Sequence, residues 1–188
     1  MSVRYHNFGG VIGWNLQKYF PMLSSDSYLK LQRSTRNKLQ KEYIDYFLST
    51  GEPPMPLVVN LETINRCNST CSFCTANKNA EKRPYKRMED SLFYSIIDQL
   101  AEWGYTGHLT LYGNNEPFLD TRIVEFHKYC RKKLPHSFIF LSSNGLLLTV
   151  DKVKEIIPYV NQLIINNYCR DMKLHDNVRE IYEYAKSH

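Results

Sequence analysis

Residues 57–74, LVVNLETINRCNSTCSFC, limit what this chain can be more than any other stretch. An apolar run with the composition of a buried strand, residues 56–64, stops abruptly and is followed by Cys67, Cys71 and Cys74 in one short loop. With 5 cysteines in 188 residues, one fixed C-x3-C-x2-C spacing is expected only about 0.004 times by chance. Three thiols so close together point to a metal. A closed structural zinc site takes four protein ligands, and an electron-transfer [4Fe–4S] centre likewise takes four cysteines. Three cysteines leave one iron of a cubane without a protein ligand and open to a small molecule. Spacing by itself reaches iron–sulfur or zinc and no further; in the zinc case Cys169 or a histidine would be the fourth ligand.

Around that loop, short apolar segments alternate with amphipathic ones. Strands are expected at 56–64, 108–112, 137–141 and 161–165, and helices at 89–103, 121–133, 150–159 and from about 178 onward. In the helix at 89–103, Leu92, Ile96, Ile97 and Leu100 fall at helical spacing. Such alternation means parallel βαβ units with right-handed crossovers, an α/β fold of about four units over 56–188. In barrel folds the chemistry collects at the C-terminal ends of the strands. That rule places four loops on one face: 67–74, 113–117, 142–145 and 166–169. Residues 1–55 are read as an N-terminal helical extension. Its first 23 residues lack periodicity; a long amphipathic helix follows, with cap-type Ser25, Asp26 and Ser27 and an apolar stripe of Leu39, Tyr43, Tyr46 and Phe47. One long helix is expected, with Ser34 as the one candidate position for a break, and it stops at Gly51. Glu52, Pro53, Pro54 and Pro56 make a stiff linker, since consecutive prolines cannot continue a helix.

Cys67, Cys71, Phe73 and Cys74 resemble, position by position, the C-x3-C-x-aromatic-C signature of the radical S-adenosylmethionine enzymes. That family carries its signature on the loop after the first strand of a partial (βα) barrel. The resemblance implies a [4Fe–4S] cluster whose open iron chelates S-adenosylmethionine. An electron then breaks the sulfonium C–S bond, and the resulting 5′-deoxyadenosyl radical takes a hydrogen atom from the substrate. VNLETINRCNSTCSFC is most similar to the subgroup with a SPASM or twitch extension, which includes peptide maturases and sugar or aminoglycoside dehydrogenases. A peptide or sugar-type substrate is therefore expected, with an external one-electron donor of flavodoxin or ferredoxin type. The usual core of the family has six βα units. With about four units here, three readings stay open: a fragment, a reduced form, or a barrel completed by a further partner chain.

The other strand-end loops fit the same resemblance. On its own, YGNNEPFLD is a polar loop with one carboxylate, although Gly113 would let backbone approach a ligand and Glu116 could accept from an ammonium group. It looks like the family's G-G-E-P motif, which meets the amino group of S-adenosylmethionine, with Glu116 and Pro117 in register and Asn114 and Asn115 in place of the glycines. LSSNGLLL is either a capped turn or a ligand-binding turn. It is similar to the family's T-N-G segment, with Ser143 for threonine, then Asn144 and Gly145. Asn166 stands where the family has a polar ribose contact. The resemblance thus implies a metal held by Cys67, Cys71 and Cys74. It implies a cofactor met by Gly113, Asn115, Glu116, Pro117, Ser143, Asn144 and Asn166.

Composition decides less. At 43% hydrophobic residues the chain can build a core, and its net charge of +5 is spread along the sequence. Nucleic acid is not an expected partner, and basic Lys30, Arg33, Arg36, Lys38 and Lys41 read as a solvated helix face. No apolar run reaches the roughly 18 residues of a membrane helix, and the start has no signal-peptide core, so a cytoplasmic protein is expected. The competing function is a zinc- or cluster-binding module without catalysis that interacts with protein or nucleic acid.

Overall fold

The structure, a computed structural model, describes residues 25–74, 83–168 and 173–187. Residues 1–23 and Cys169 therefore lie outside the described residues. The chain divides into two compact units, one ending at Met55 and one continuing from Pro56.

The first unit contains helix α1, Ser25–Thr50, which runs for 26 residues without interruption. It is the one long helix expected, without a break at Ser34, because no glycine or proline intervenes and the flanking Arg, Lys, Gln and Glu residues are good helix formers. Gly51 closes it with φ 73° and a bond from its N–H to the Phe47 carbonyl (2.8 Å). Of the expected apolar stripe, Tyr43 is half-buried and donates to the Pro54 carbonyl (2.8 Å), whereas Tyr46 and Phe47 are exposed.

The second unit is a four-stranded parallel sheet in sequential order, β1 (Val58–Asn60), β2 (His108–Thr110), β3 (Phe138–Ser143) and β4 (Gln162–Ile165). Helices α2 (Asp90–Glu102), α3 (Ile123–Lys133) and α4 (Val150–Ile156) lie between successive strands, and α5 (Asp176–Ser187) follows β4. Strand β1 is shorter than the apolar run, although Leu61 N–H still reaches the Thr110 carbonyl (2.9 Å). Strand β3 is longer than expected and carries its ladder through two serines.

Strand alternation sorts the sheet into two faces. Leu109, Ile139 and Leu141 are 0% exposed and pack with Phe93, Ile97 and Phe126 of the covering helices. Phe93 and Phe126 stack with ring centroids 3.8 Å apart. Each such side chain, fully buried, contributes about 1.5–3 kcal/mol. Register puts His108, Phe138 and Phe140 on the opposite face, with Tyr112, Ser142 and Asn166 at its C-terminal end. His108 meets Phe138 and Tyr112 meets Phe140 there, at centroid distances of 4.9 and 5.4 Å. This second face is where a ligand can enter.

Arg122 locks the helical layer to the loops. Its guanidinium grips Asp120 with Nε and Nη2 (2.8 and 2.7 Å), donates to the Met88 carbonyl (2.9 Å), pairs with Asp90 and lies over the Phe126 ring. Burial pushes the Asp120 carboxyl up, but the arginine more than offsets it and holds the group below the usual range.

His127, on α3, is 0% exposed, with Nδ1 2.7 Å from the Ile123 carbonyl and Nε2 without a partner. Burial lowers its pKa to about 4. The unfolded chain protonates this ring near 6.5 while the folded one keeps it neutral, so its contribution is complete above 6.5 and is lost as pH falls towards 4. The expected loss is about 3 kcal/mol, on the order of two pKa units. Urea unfolding at pH 7 and pH 4.5 checks this, and His127→Leu should flatten the slope. Among the described residues, no helix is long and apolar enough to cross a membrane.

Candidate functional site

All four strands deliver their following loops to one end of the sheet. The first loop is braced at its entrance by a short antiparallel ribbon: Ile64 bridges Arg87, Met88 N–H reaches the Thr63 carbonyl (2.9 Å), and Asn65 N–H reaches that of Lys86 (3.1 Å). Arg66 donates to the Arg83 carbonyl (2.8 Å), and its own carbonyl accepts from Glu116 N–H (2.8 Å). Beyond this brace Cys67, Cys71 and Cys74 are all half-buried, and Cys74 N–H closes a turn onto the Cys71 carbonyl (3.1 Å). Ser69 Oγ lies 3.1 Å from Cys71 Sγ.

The second loop follows β2. Gly113 N–H donates to Asn115 Oδ1 (2.9 Å), which leaves Asn115 Nδ2 buried and without a protein partner. The atoms nearest to an added Cβ at Gly113 would be those of Glu62, from 3.6 Å, an ordinary contact, so the protein's own packing does not demand glycine there. Glu116 is 1% exposed and accepts from three donors: Phe118 N–H (3.2 Å) and Ser143 Oγ (2.8 Å) at Oε1, and Asn144 N–H (2.7 Å) at Oε2. Burial raises its pKa, and those three hydrogen bonds oppose the rise. Pro117 is buried and opens the 3-10 turn Pro117–Leu119.

In the third loop, Ser143 Oγ also accepts from Gly145 N–H (3.0 Å). Gly145 has φ 80°, and a Cβ there would lie 2.7 Å from Ile165 Cγ2 and 2.9 Å from Val178 Cγ2. Both its backbone conformation and its surroundings require glycine. The fourth loop is tied back by Asn166, whose N–H reaches the Ser143 carbonyl (2.8 Å) and whose Nδ2 reaches Ser142 Oγ (2.7 Å). Tyr168 sits edge-on to Phe73, with centroids 5.0 Å apart.

These loops enclose a cleft of about 170 Å³. It is lined by the three cysteines, by Gly113, Asn115, Glu116, Ser143, Asn144 and Asn166, and by Tyr112, Ser142 and Tyr168. Of the residues expected to meet a cofactor, only Pro117 lies elsewhere. Burial pushes the Cys67 thiol up; the Glu116 carboxylate and Cys71 add to the rise, while Ser69 N–H and the Asn144 amide oppose it. Burial likewise raises Tyr168, and the neighbouring Cys71, Cys74 and Cys67 add to it. A half-buried thiolate beside a carboxylate is relieved by a bound cation. The soft donor set suits iron–sulfur chemistry, and the unpartnered Asn115 amide is a donor left for a ligand. Among the described residues no three His, Cys, Asp or Glu side chains gather closely enough for one metal ion. A cubane instead distributes its ligands over separate irons.

Sequence reasoning missed two residues. Ser142 lay beyond the apolar part of its strand, and Glu62 lay inside an apolar run. Continuing the alternation from Val58 and Asn60 would have put Glu62 on the open face, where its Oε1 is buried without a partner.

Comparisons with known proteins bear on the fold and on the superfamily. A curated relative, the S-adenosyl-L-methionine-dependent 2-deoxy-scyllo-inosamine dehydrogenase of Niallia circulans, is 21% identical over 99 residues, covering 53% of this chain and 39% of that protein. The crystal structure of BtrN in complex with AdoMet and 2-DOIA superposes with a TM-score of 0.60 at 18% identity, over 69% of this chain and 52% of that one. Streptococcus suis SuiB bound to S-adenosylmethionine gives a TM-score of 0.50 at 16% identity, over 81% of this chain and 34% of that one. The chain therefore spans about half or less of each of these relatives. They share its fold, a parallel sheet with alternating helices of the partial-barrel type. The sequence pattern of the Radical SAM superfamily matches residues 61–183, from the end of β1 into α5, and the chain belongs to that superfamily, whose cofactors are a [4Fe–4S] cluster and S-adenosylmethionine.

Proposed function

We propose that Cys67, Cys71 and Cys74 hold a [4Fe–4S] cluster in this cleft and that Gly113, Asn115 and Asn166 receive S-adenosylmethionine beside it. Glu116, Pro117, Ser143 and Asn144 form the frame that fixes those loops. The observation that carries this reading is the convergence of three thiols and an unpartnered buried amide, Asn115 Nδ2, in one cleft at the strand ends. When bound, the cluster and S-adenosylmethionine supply a 5′-deoxyadenosyl radical that abstracts hydrogen from a substrate, after an electron arrives from a flavodoxin- or ferredoxin-type donor. The substrate is a small hydroxylated molecule of sugar type. Tyr112 and Ser142 present hydroxyl groups on the open face, and the curated relative is named for an aminated cyclitol.

Anaerobic reconstitution tests the reading, with iron and sulfide quantified and electron paramagnetic resonance recorded after dithionite reduction. A reduced-cluster signal that changes when S-adenosylmethionine is added, with 5′-deoxyadenosine accumulating, is the expected result. Bound zinc with no reducible cluster would sink the proposal and leave a zinc-binding module in its place.

A further inference from the structure

Asn144 is held by more contacts than a cofactor ligand requires. It is 8% exposed, its main-chain N–H donates to Glu116 Oε2 (2.7 Å), and its Oδ1 accepts from Leu146 N–H (3.0 Å). That last bond fixes the amide's orientation, because a flipped side chain would set its NH2 against the Leu146 N–H. Nδ2 is therefore the group that points at the cysteine loop. One of its two hydrogens goes to Asn68 Oδ1 (2.8 Å), and Cys67 Sγ lies 3.8 Å away, within reach of a sulfur acceptor. Both donors are occupied, so little capacity is left for a ribose hydroxyl.

We infer that Asn144 is an outer hydrogen-bond donor to the Cys67 sulfur, a positioning residue that raises the potential at which a cluster on this loop accepts its electron. The inference rests on the cluster ligation proposed above. Reduction adds negative charge to the cluster and its sulfurs, and an N–H dipole aimed at a ligating sulfur stabilises that charge. The Glu116 carboxylate, hydrogen-bonded to the Asn144 main chain, acts in the opposite sense. Asn144 is the described residue that brings a side-chain N–H to Cys67.

Redox titration monitored by electron paramagnetic resonance, with iron and sulfide content measured in parallel, tests this on the reconstituted chain. Asn144→Ala should keep its iron and become harder to reduce, with an equilibrium constant for reduction about tenfold lower, or about 59 mV for one electron. Asn68→Ala leaves the Cys67 contact in place and should titrate close to the parent. If Asn144→Ala loses iron, Asn144→Asp takes its place. It keeps the acceptor for Leu146 and must titrate below the parent. A fully loaded Asn144→Ala with the parent midpoint, or an Asp variant at or above it, overturns the role of Asn144 and leaves the cluster reading intact. A parent chain with no reducible cluster overturns both.

Discussion

Cys71→Ala is expected to abolish cluster binding while leaving the fold in place. Under the proposed ligation the variant keeps two of the three thiols, too few to hold a cubane, so iron after reconstitution should fall at least tenfold and 5′-deoxyadenosine should not form. The fold survives because Cys71's structural bond, from Cys74 N–H, is to its carbonyl, and among the described residues its half-buried side chain is hydrogen-bonded to Ser69 Oγ. A substitution of that kind costs about 1 kcal/mol or less. Iron content and urea midpoint, measured on one preparation, separate the two effects. A variant that retains iron would assign the metal to other residues.

Glu116→Ala should do the reverse and unfold the site before it touches the chemistry. Removing the carboxylate leaves Phe118 N–H, Ser143 Oγ and Asn144 N–H without their acceptor in a place that water does not reach. Each orphaned buried donor costs about 1–3 kcal/mol, so the three together cost on the order of 3–9 kcal/mol before the cavity left by the side chain is added. Glu116→Gln should cost less, about 2 kcal/mol, because its carbonyl still accepts while its NH2 faces a donor. Chemical denaturation of both variants gives the comparison. A loss under about 0.5 kcal/mol for the alanine variant would mean that these hydrogen bonds are replaced by water.

The alternation of apolar and amphipathic segments was enough to read the parallel sheet, because burial of one helix-covered face leaves a strong pattern in Leu109, Ile139 and Leu141. Strand length was not readable in the same way. Apolar character reports burial, whereas ladder hydrogen bonds follow partner and register, so β1 fell short of its run and β3 outran it into Ser142 and Ser143. The motif residues in the loops identified which positions matter but not where their side chains point. Glu116 stands in register with a cofactor contact, yet both its oxygens turn to neighbouring loops. Nothing in a linear string shows that Ser143 and Asn144 will arrive opposite it. Gly145 illustrates the same limit, since its neighbours Ile165 and Val178 come from β4 and α5.

The hub formed by Glu116 bears on the thermodynamics of loading. Loops that are slack until a ligand arrives must lose their freedom at that moment, and affinity suffers accordingly. Here the carboxylate ties the second loop to the third, Arg66 ties the first to the second, and Asn166 ties the fourth to the third. The positions joined by these bonds are ordered when the chain folds, so the binding free energy of a cofactor is not spent on bringing them together.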